Sequence, residues 1–74
     1  MKTAETKTIQ IVVNGVPRAV PAGLGVVGLL EHLEIDRSRV AVELNGSIVH
    51  KADWDAAPVA EGARVEIVWF VGGG

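Results

Sequence analysis

The chain has 74 residues and a mass of 7.8 kDa, which is room for one small domain. Seven Lys and Arg residues against nine Asp and Glu residues give a net charge of -2, which argues against nucleic acid or an anionic membrane as a partner. The lack of cysteine excludes disulfides, thiolate metal sites and a cysteine nucleophile. With no apolar leader and no apolar run of about 18 residues, the sequence predicts a soluble cytoplasmic protein.

The first structured part of the chain is predicted to be a β-hairpin. Residues 1–8 are polar and lack a pattern, so we expect a disordered N-terminal extension. Apolar residues recur at every second position from Ile9, and Asn14-Gly15 is a strong signal for a two-residue hairpin turn. Pro17 removes a backbone donor from the second strand, which should therefore lie at a sheet edge.

One amphipathic helix is predicted next. Beyond Gly25, which stands where an N-cap is expected, apolar residues follow the helical spacing i, i+3, i+4 and i+7, at Val26, Leu29, Leu30 and Leu33. Gly28 inside this helix costs about 1 kcal/mol relative to alanine, so we expect a close approach to the sheet to explain it. A polar connector at residues 36–39 follows the helix.

A second hairpin and a short irregular segment come after the helix. Alternating apolar residues predict a strand over residues 40–44, and Asn45-Gly46 predicts a turn into a short return strand over residues 48–50. Trp54 is the only large apolar residue of the next segment, which we expect to be irregular or a single turn. Its indole should cap the core.

The final strand is predicted to be central in the sheet. Apolar residues occupy one face of the longest β-branched and aromatic stretch, at Val65, Ile67, Trp69 and Val71. The order hairpin, helix, hairpin, strand predicts an α+β protein of the ubiquitin-like β-grasp type, in which a mixed four- to five-stranded sheet packs on one helix over residues 9–71. An open α+β meander is the alternative, but it would leave this apolar strand at an aggregation-prone edge.

Two features of the C-terminal end exceed what a stable small domain needs. The other face of the last strand should carry Arg64, Glu66, Val68 and Phe70. The last two are apolar where solvent favours polar groups, which indicates a partner surface, a face covered by a loop of the same chain, or a homodimer. Beyond them, residues 72–74 are glycines that can thread a narrow passage, and a terminal carboxylate is a competent oxygen nucleophile.

Three segments carry a resemblance to a known family. The C-terminal signature of the ThiS family resembles residues 65–74 (VEIVWFVGGG). Its LNG hairpin resembles residues 42–49 (VELNGSIV), and its last turn resembles residues 61–65 (EGARV). ThiS proteins are the sulfur carriers of thiamin thiazole biosynthesis. The sequence departs from that family at Gly25, where Thr or Ser is usual, and in its longer N-terminal extension.

The resemblance implies a carrier without catalytic residues of its own and without a bound cofactor. A ThiF-type enzyme would adenylate the carboxylate of Gly74 with ATP, and sulfur relayed from a cysteine desulfurase would displace AMP to leave a thiocarboxylate. Thiazole synthase, ThiG, would then take the sulfur. Gly72 and Gly73 would form a flexible tail that gives access, and the docking surface would consist of Glu66, Val68, Phe70 and Val71.

Other functions stay open at the level of sequence. The Gly-Gly end is shared with MoaD-type molybdopterin synthase carriers and with ubiquitin-like covalent modifiers, and an interaction domain with an inert tail is a third alternative. His32 and His50 have no Cys or regularly spaced carboxylates around them, so we expect no metal site. The free chain is expected to be a monomer.

Overall fold

Five strands form one mixed sheet, and a single helix packs on one of its faces. The computed structural model describes residues 7–71, so the expectations for residues 1–6 and for the tail of residues 72–74 lie outside the described residues. The elements are β1 (Thr8–Val13), β2 (Val16–Pro21), α1 (Val26–His32), β3 (Val40–Leu44), β4 (Ser47–Val49) and β5 (Arg64–Trp69). Two 3₁₀ turns, Arg37–Arg39 and Lys51–Ala56, connect them. No helix in this part of the chain is long and apolar enough to cross a membrane.

The strand order is β2-β1-β5-β3-β4, which confirms the predicted β-grasp architecture. β5 lies in the centre, parallel to β1 and antiparallel to β3, and β2 lies at an edge as its prolines require. The two hairpins leave a gap between β1 and β3, and β5 fills it. The most apolar strand is therefore paired on both sides rather than exposed at an edge.

The core lies between the sheet and α1. It is built from side chains of every strand except β4, together with the helix and the second 3₁₀ turn, and its largest fully buried members are Ile11, Val20, Val26, Leu29, Leu30, Val40, Val42 and Val65. Trp54 closes this core as predicted, and its indole N–H donates to the carbonyl of Val49 at 2.7 Å. None of the buried residues in the described range is polar or charged.

The two glycines of the helix region are explained by close contacts, and one explanation differs from the prediction. Gly25 is the N-cap, and a Cβ there would lie 3.1 Å from the carbonyl oxygen of Ala57. That same oxygen accepts the N–H of Val26 at 3.0 Å, so a backbone group satisfies one of the free N–H groups at the start of the helix, where no side chain caps it. The nearest neighbour of Gly28 is not in the sheet, contrary to the expectation from the sequence. A Cβ there would lie 3.1 Å from Cδ2 of Leu24, the residue just before the helix cap.

Some element boundaries also differ from the predictions. β1 begins at Thr8, and the carbonyl of Lys7 accepts the N–H of Ala22 at 2.8 Å, so Lys7 and Thr8 are ordered, contrary to the disorder expected over residues 1–8. This pairing with the end of β2 keeps the first hairpin closed beyond Ile9. β4 covers Ser47–Val49 rather than residues 48–50, and the polar connector after α1 contains a 3₁₀ turn.

Candidate functional site at the end of the last strand

Both Asn-Gly turns hold β5 with their asparagine side chains. Asn14 and Asn45 have left-handed backbone φ angles of 49° and 53°, as the predicted hairpin turns require. Asn14 Nδ2 donates to the carbonyl of Ile67 at 3.1 Å, and the N–H of Ile67 donates to Asn14 Oδ1 at 2.6 Å. On the other side, the N–H of Arg64 donates to Asn45 Oδ1 at 2.8 Å. Each turn therefore also clamps the strand that leads to the tail.

The Asn14 clamp extends the parallel ladder beyond the end of β1. The N–H of Val12 donates to Ala63 and that of Asn14 donates to Val65, at 2.9 and 2.8 Å. One step further, the side-chain amide of Asn14 offers one donor and one acceptor to Ile67, as a backbone peptide would. Sequence reasoning took Asn-Gly only as a turn signal, but Asn is the turn residue that supplies both an amide donor and an acceptor.

The residues after Ile67 are exposed. Val68 and Phe70 are each 55% exposed and Val71 is 96% exposed, so no loop within residues 7–71 covers them. Glu66, the fourth residue predicted to form the docking surface, is exposed as well. The structure thus leaves all four residues accessible, and their role in docking stays a prediction.

Ile48 joins this surface from the far edge of the sheet. The registers pair Glu43 with Ile48 on one side and with Glu66 on the other, so the three side chains lie on the same open face as Val68. Ile48 is exposed and was missed by sequence reasoning, since a single apolar residue in a three-residue strand does not reveal its face. We call Ile48 and Val68 the open-face patch; Phe70, which is exposed as well, lies beyond the end of β5.

Two carboxylates lie opposite each other within this open face. Glu43 of β3 and Glu66 of β5 are directly paired across the strands, and like charges in that arrangement repel each other. Among residues 7–71, the only salt bridge joins Arg39 to Asp36, so neither glutamate is neutralised by an ion pair there. The open face therefore combines apolar side chains with local negative charge.

Phe70 marks the start of the tail, and it is held at two points. Its N–H donates to the carbonyl of Arg39 at 2.9 Å, which continues the pairing with the β3 side past the end of β5. Its ring centroid lies 5.6 Å from Nζ of Lys51, and the same ammonium group lies 5.6 Å from the ring centroid of Trp54. Val71 follows without such contacts and is almost fully exposed.

The turn beside Phe70 carries an ordered carboxylate. The hydroxyl and the N–H of Ser38 both donate to Asp36 Oδ1, at 2.7 and 3.0 Å. These bonds, with weaker help from the charges of Arg39 and Lys51, hold the pKa of Asp36 below its usual range. Asp36 is therefore ionised at neutral pH and faces cationic neighbours at the start of the tail.

Trp69 and Val71 are not part of the buried core, although the sequence predicts them on the same face as Val65 and Ile67. Trp69 points to the helix side of the sheet but is half-exposed, at the rim of a hollow of about 240 Å³ that Leu33 and Ile35 also line. α1 ends at His32, so the helix does not cover this end of the sheet. Val71 lies beyond β5 altogether.

The side chains described here offer no metal site. Within residues 7–71, no three His, Asp or Glu side chains are grouped so that they could hold a metal ion. What the site presents instead is an accessible sheet face beside the start of a glycine tail.

Comparison with known proteins agrees with this arrangement. The family model described as the ThiS family matches residues 7–74. The chain belongs to the ThiS family. A crystal structure of the thiamine biosynthesis protein ThiS from Geobacter metallireducens superimposes with a TM-score of 0.77 at 38% identity, covering 89% of this chain and 100% of that one. A solution NMR structure of a thiamine biosynthesis protein from the same organism gives a TM-score of 0.73, also at 38% identity, over 89% of this chain and 88% of that one.

The chain is also similar to segments of larger proteins. It is 41% identical over 66 residues to a thiazole synthase of Paramagnetospirillum magneticum and 36% identical over 66 residues to one of Magnetococcus marinus. In both cases 89% of the chain is covered, and it spans only 20% of the relative's length. The uncharacterized protein ycf40 of Porphyra purpurea is 31% identical over 68 residues, which is 92% of this chain and 96% of that protein.

Proposed function

We propose that this chain is a sulfur carrier of thiamine biosynthesis that holds sulfur as a thiocarboxylate on Gly74. The single observation that carries the proposal is the ThiS-family match, which runs from residue 7 through the glycine tail to residue 74. The fold supports it, since the solved ThiS protein of Geobacter metallireducens shares the architecture over its whole length. The alternatives with an inert tail or with covalent conjugation have no comparable support.

The chemistry begins at the terminal carboxylate. In a ThiF-type enzyme, a carboxylate oxygen of Gly74 attacks the α-phosphorus of ATP, and pyrophosphate leaves. The acyl adenylate that forms is a much better electrophile than a carboxylate. The terminal sulfur of a persulfide, supplied through a cysteine desulfurase relay, then attacks the acyl carbon and AMP leaves, which gives an acyl disulfide. A second thiol attacks the other sulfur of that disulfide, so the S–S bond breaks, the thiocarboxylate leaves and the two thiol sulfurs end as a disulfide. One carboxylate oxygen is thereby exchanged for sulfur without any cysteine in the carrier.

Thiazole synthase is the proposed acceptor of this sulfur. Support comes from the two thiazole synthases that contain a segment similar to nearly the whole of this chain. A fused segment raises the local concentration of carrier and acceptor, which is useful only if the two work together. The ATP is consumed by the activating enzyme, and the carrier itself supplies no catalytic residue.

The contribution of the described residues is recognition. The open-face patch offers exposed apolar area, and the unneutralised Glu43–Glu66 pair suits a basic side chain on the partner enzyme. From Phe70 to Gly74 the chain can extend by at most about 14 Å. The docking surface must therefore sit close to the adenylation site, which is why residues at the end of β5 are the predicted contacts.

Adenylation can be tested with an ATP–pyrophosphate exchange assay. The full chain should support exchange with a ThiF-type enzyme, and a variant lacking Gly74 should support none while keeping the same melting temperature. The matched control is a variant that lacks residues 1–6, which should exchange normally. Normal sulfur loading of the variant without Gly74 would contradict the mechanism. Loading followed by transfer to molybdopterin synthase instead of thiazole synthase would place the chain in the MoaD-type alternative.

A further inference from the structure

Phe70 is exposed, but its backbone and its ring each contact another residue. An exposed aromatic ring at the end of a strand has few packing contacts to select one rotamer. Here the backbone of Phe70 is tied to Arg39, and its ring faces the ammonium group of Lys51 at 5.6 Å. This distance is within the range of about 6 Å in which a cation attracts the face of an aromatic ring.

The other side of Lys51 is anchored in the core. Its ammonium group also lies 5.6 Å from the ring of Trp54, which is buried and hydrogen-bonded to Val49. Lys51 begins the same 3₁₀ turn that contains Trp54, so that turn places the backbone of Lys51. The ammonium group thus joins a fixed ring in the core to an exposed ring at the start of the tail.

We propose that Lys51 is a positioning residue of the carrier: its ammonium group holds the Phe70 ring, and with it the start of the tail, in the orientation that the adenylating enzyme recognises. This inference rests on the proposed function. Because only the ring orientation is affected, Lys51 should act on binding of the carrier and not on the chemical step.

Arg37 provides a matched control. It lines the same hollow as Lys51 and Trp54, together with Asp55, so it has a similar electrostatic environment. Within residues 7–71, Lys51 supplies the only cation that faces the Phe70 ring. A general loss of positive charge at this place should therefore affect the Arg37 and Lys51 variants alike, whereas loss of ring positioning should affect only the Lys51 variant.

The test is a double-mutant cycle in the exchange assay with a ThiF-type enzyme. We expect Lys51→Met to raise the KM for the carrier about two- to fivefold at unchanged kcat, as the loss of an exposed cation–π contact predicts. In the Phe70→Leu background the same change should have no effect. Lys51→Arg, whose guanidinium also stacks on rings, should restore the normal KM, and Arg37→Met should leave it unchanged.

Several outcomes would overturn the role of Lys51. An equal rise in KM in both backgrounds would show that Lys51 contacts the enzyme itself. An unchanged KM in Lys51→Met would show that the contact is not used. If the wild-type chain gave no exchange with an enzyme active on its own carrier, the proposed function would fail instead.

An NMR measurement on the free chain then decides the positioning claim by itself. Nuclear Overhauser effects between the Lys51 ε-methylene and the Phe70 ring should be present in the wild-type chain. In Lys51→Met, the ε-methyl group that takes this place should give no such effects to the Phe70 ring, at an unchanged melting temperature. Their absence in the wild-type chain would overturn the inference.

Discussion

The two halves of the C-terminal segment both contain large apolar residues, but only the first half buries them. In residues 64–67, exposed and buried side chains alternate, and Val65 and Ile67 belong to the core. Residues 68–71 are four apolar residues in a row, and all four are exposed. The boundary falls where pairing on the β1 side ends. The last pair there is Val13 with Val65 and only the side chain of Asn14 reaches Ile67, whereas the pairing with β3 continues to Trp69.

This comparison teaches that apolar composition does not by itself decide burial. The first half of β5 stabilises the fold because a helix covers one face and strands pair with both edges. In residues 68–71, Val68 lies on the open face and the later residues extend past the end of α1, so these apolar side chains are available for a partner at no cost to the core. Changes in the first half should affect stability, and changes in the second half should affect docking.

The largest effect is expected at Ile67. Replacing this buried residue by Ala should lower the free energy of unfolding by about 2–5 kcal/mol, because the change leaves a cavity in the core. Chemical denaturation measures this loss in the free energy of unfolding. Val68→Ala, one residue further on, is the matched control and should change stability by less than about 0.5 kcal/mol. Equal losses at the two positions would remove the distinction between the halves.

A change at Phe70 provides the corresponding test of residues 68–71. Phe70→Ser should raise the KM for the carrier in the exchange assay about tenfold or more, since exposed aromatic anchors dominate protein interfaces. The melting temperature of the Phe70→Ser variant should equal that of the wild-type chain. Thermal unfolding of the variant at a much lower temperature would show instead that the Phe70 ring is part of the core.

The asparagine clamps allow a sharper comparison within the first half. Asn14→Gly keeps the left-handed turn but removes both hydrogen bonds to Ile67, and it should cost about 1–2 kcal/mol of stability. Asn45→Gly removes the bond to Arg64 alone and should cost less. Hydrogen exchange of the Ile67 N–H should become faster only in Asn14→Gly. Unchanged protection of that N–H would mean that the clamp contributes nothing.

The smallest effect is expected from the paired carboxylates of the open face. Glu66→Gln removes the repulsion with Glu43 and should raise the free energy of unfolding by about 0.2–1 kcal/mol. Glu43→Gln is the matched control and should give the same gain. If Glu66 also contacts a basic group of the enzyme, Glu66→Gln will raise the KM of the carrier while it stabilises the fold. A loss of stability would show that Glu66 has a favourable partner within the chain.

Local signals in the sequence predicted most of the fold. The two Asn-Gly turns, the helical spacing after Gly25 and the apolar last strand were enough to predict two hairpins, one helix and a central β5, all of which the structure confirms. These features depend on neighbouring residues along the chain. In the same way, the alternation of strand faces predicted Val68 on the face opposite Val65 and Ile67. It did not predict whether that face is covered, and the structure shows Val68 and Phe70 exposed.

Features that depend on distant parts of the chain could not be predicted. Whether Trp69 is buried depends on where the helix ends, and whether Ile48 shares a face with Val68 depends on the registers of three strands. The contact between Lys51 and Phe70 joins segments far apart in sequence. The role of Gly25 was also hidden, because it depends on the approach of the Ala57 carbonyl.

The most direct test of the central claim is the intact mass of the untagged chain after incubation with ATP, a ThiF-type enzyme and a sulfur donor. We predict a gain equal to the exchange of one oxygen for sulfur, located at Gly74 by fragmentation and absent when ATP is omitted. An unchanged mass, with an enzyme that loads its own carrier under the same conditions, would contradict the account.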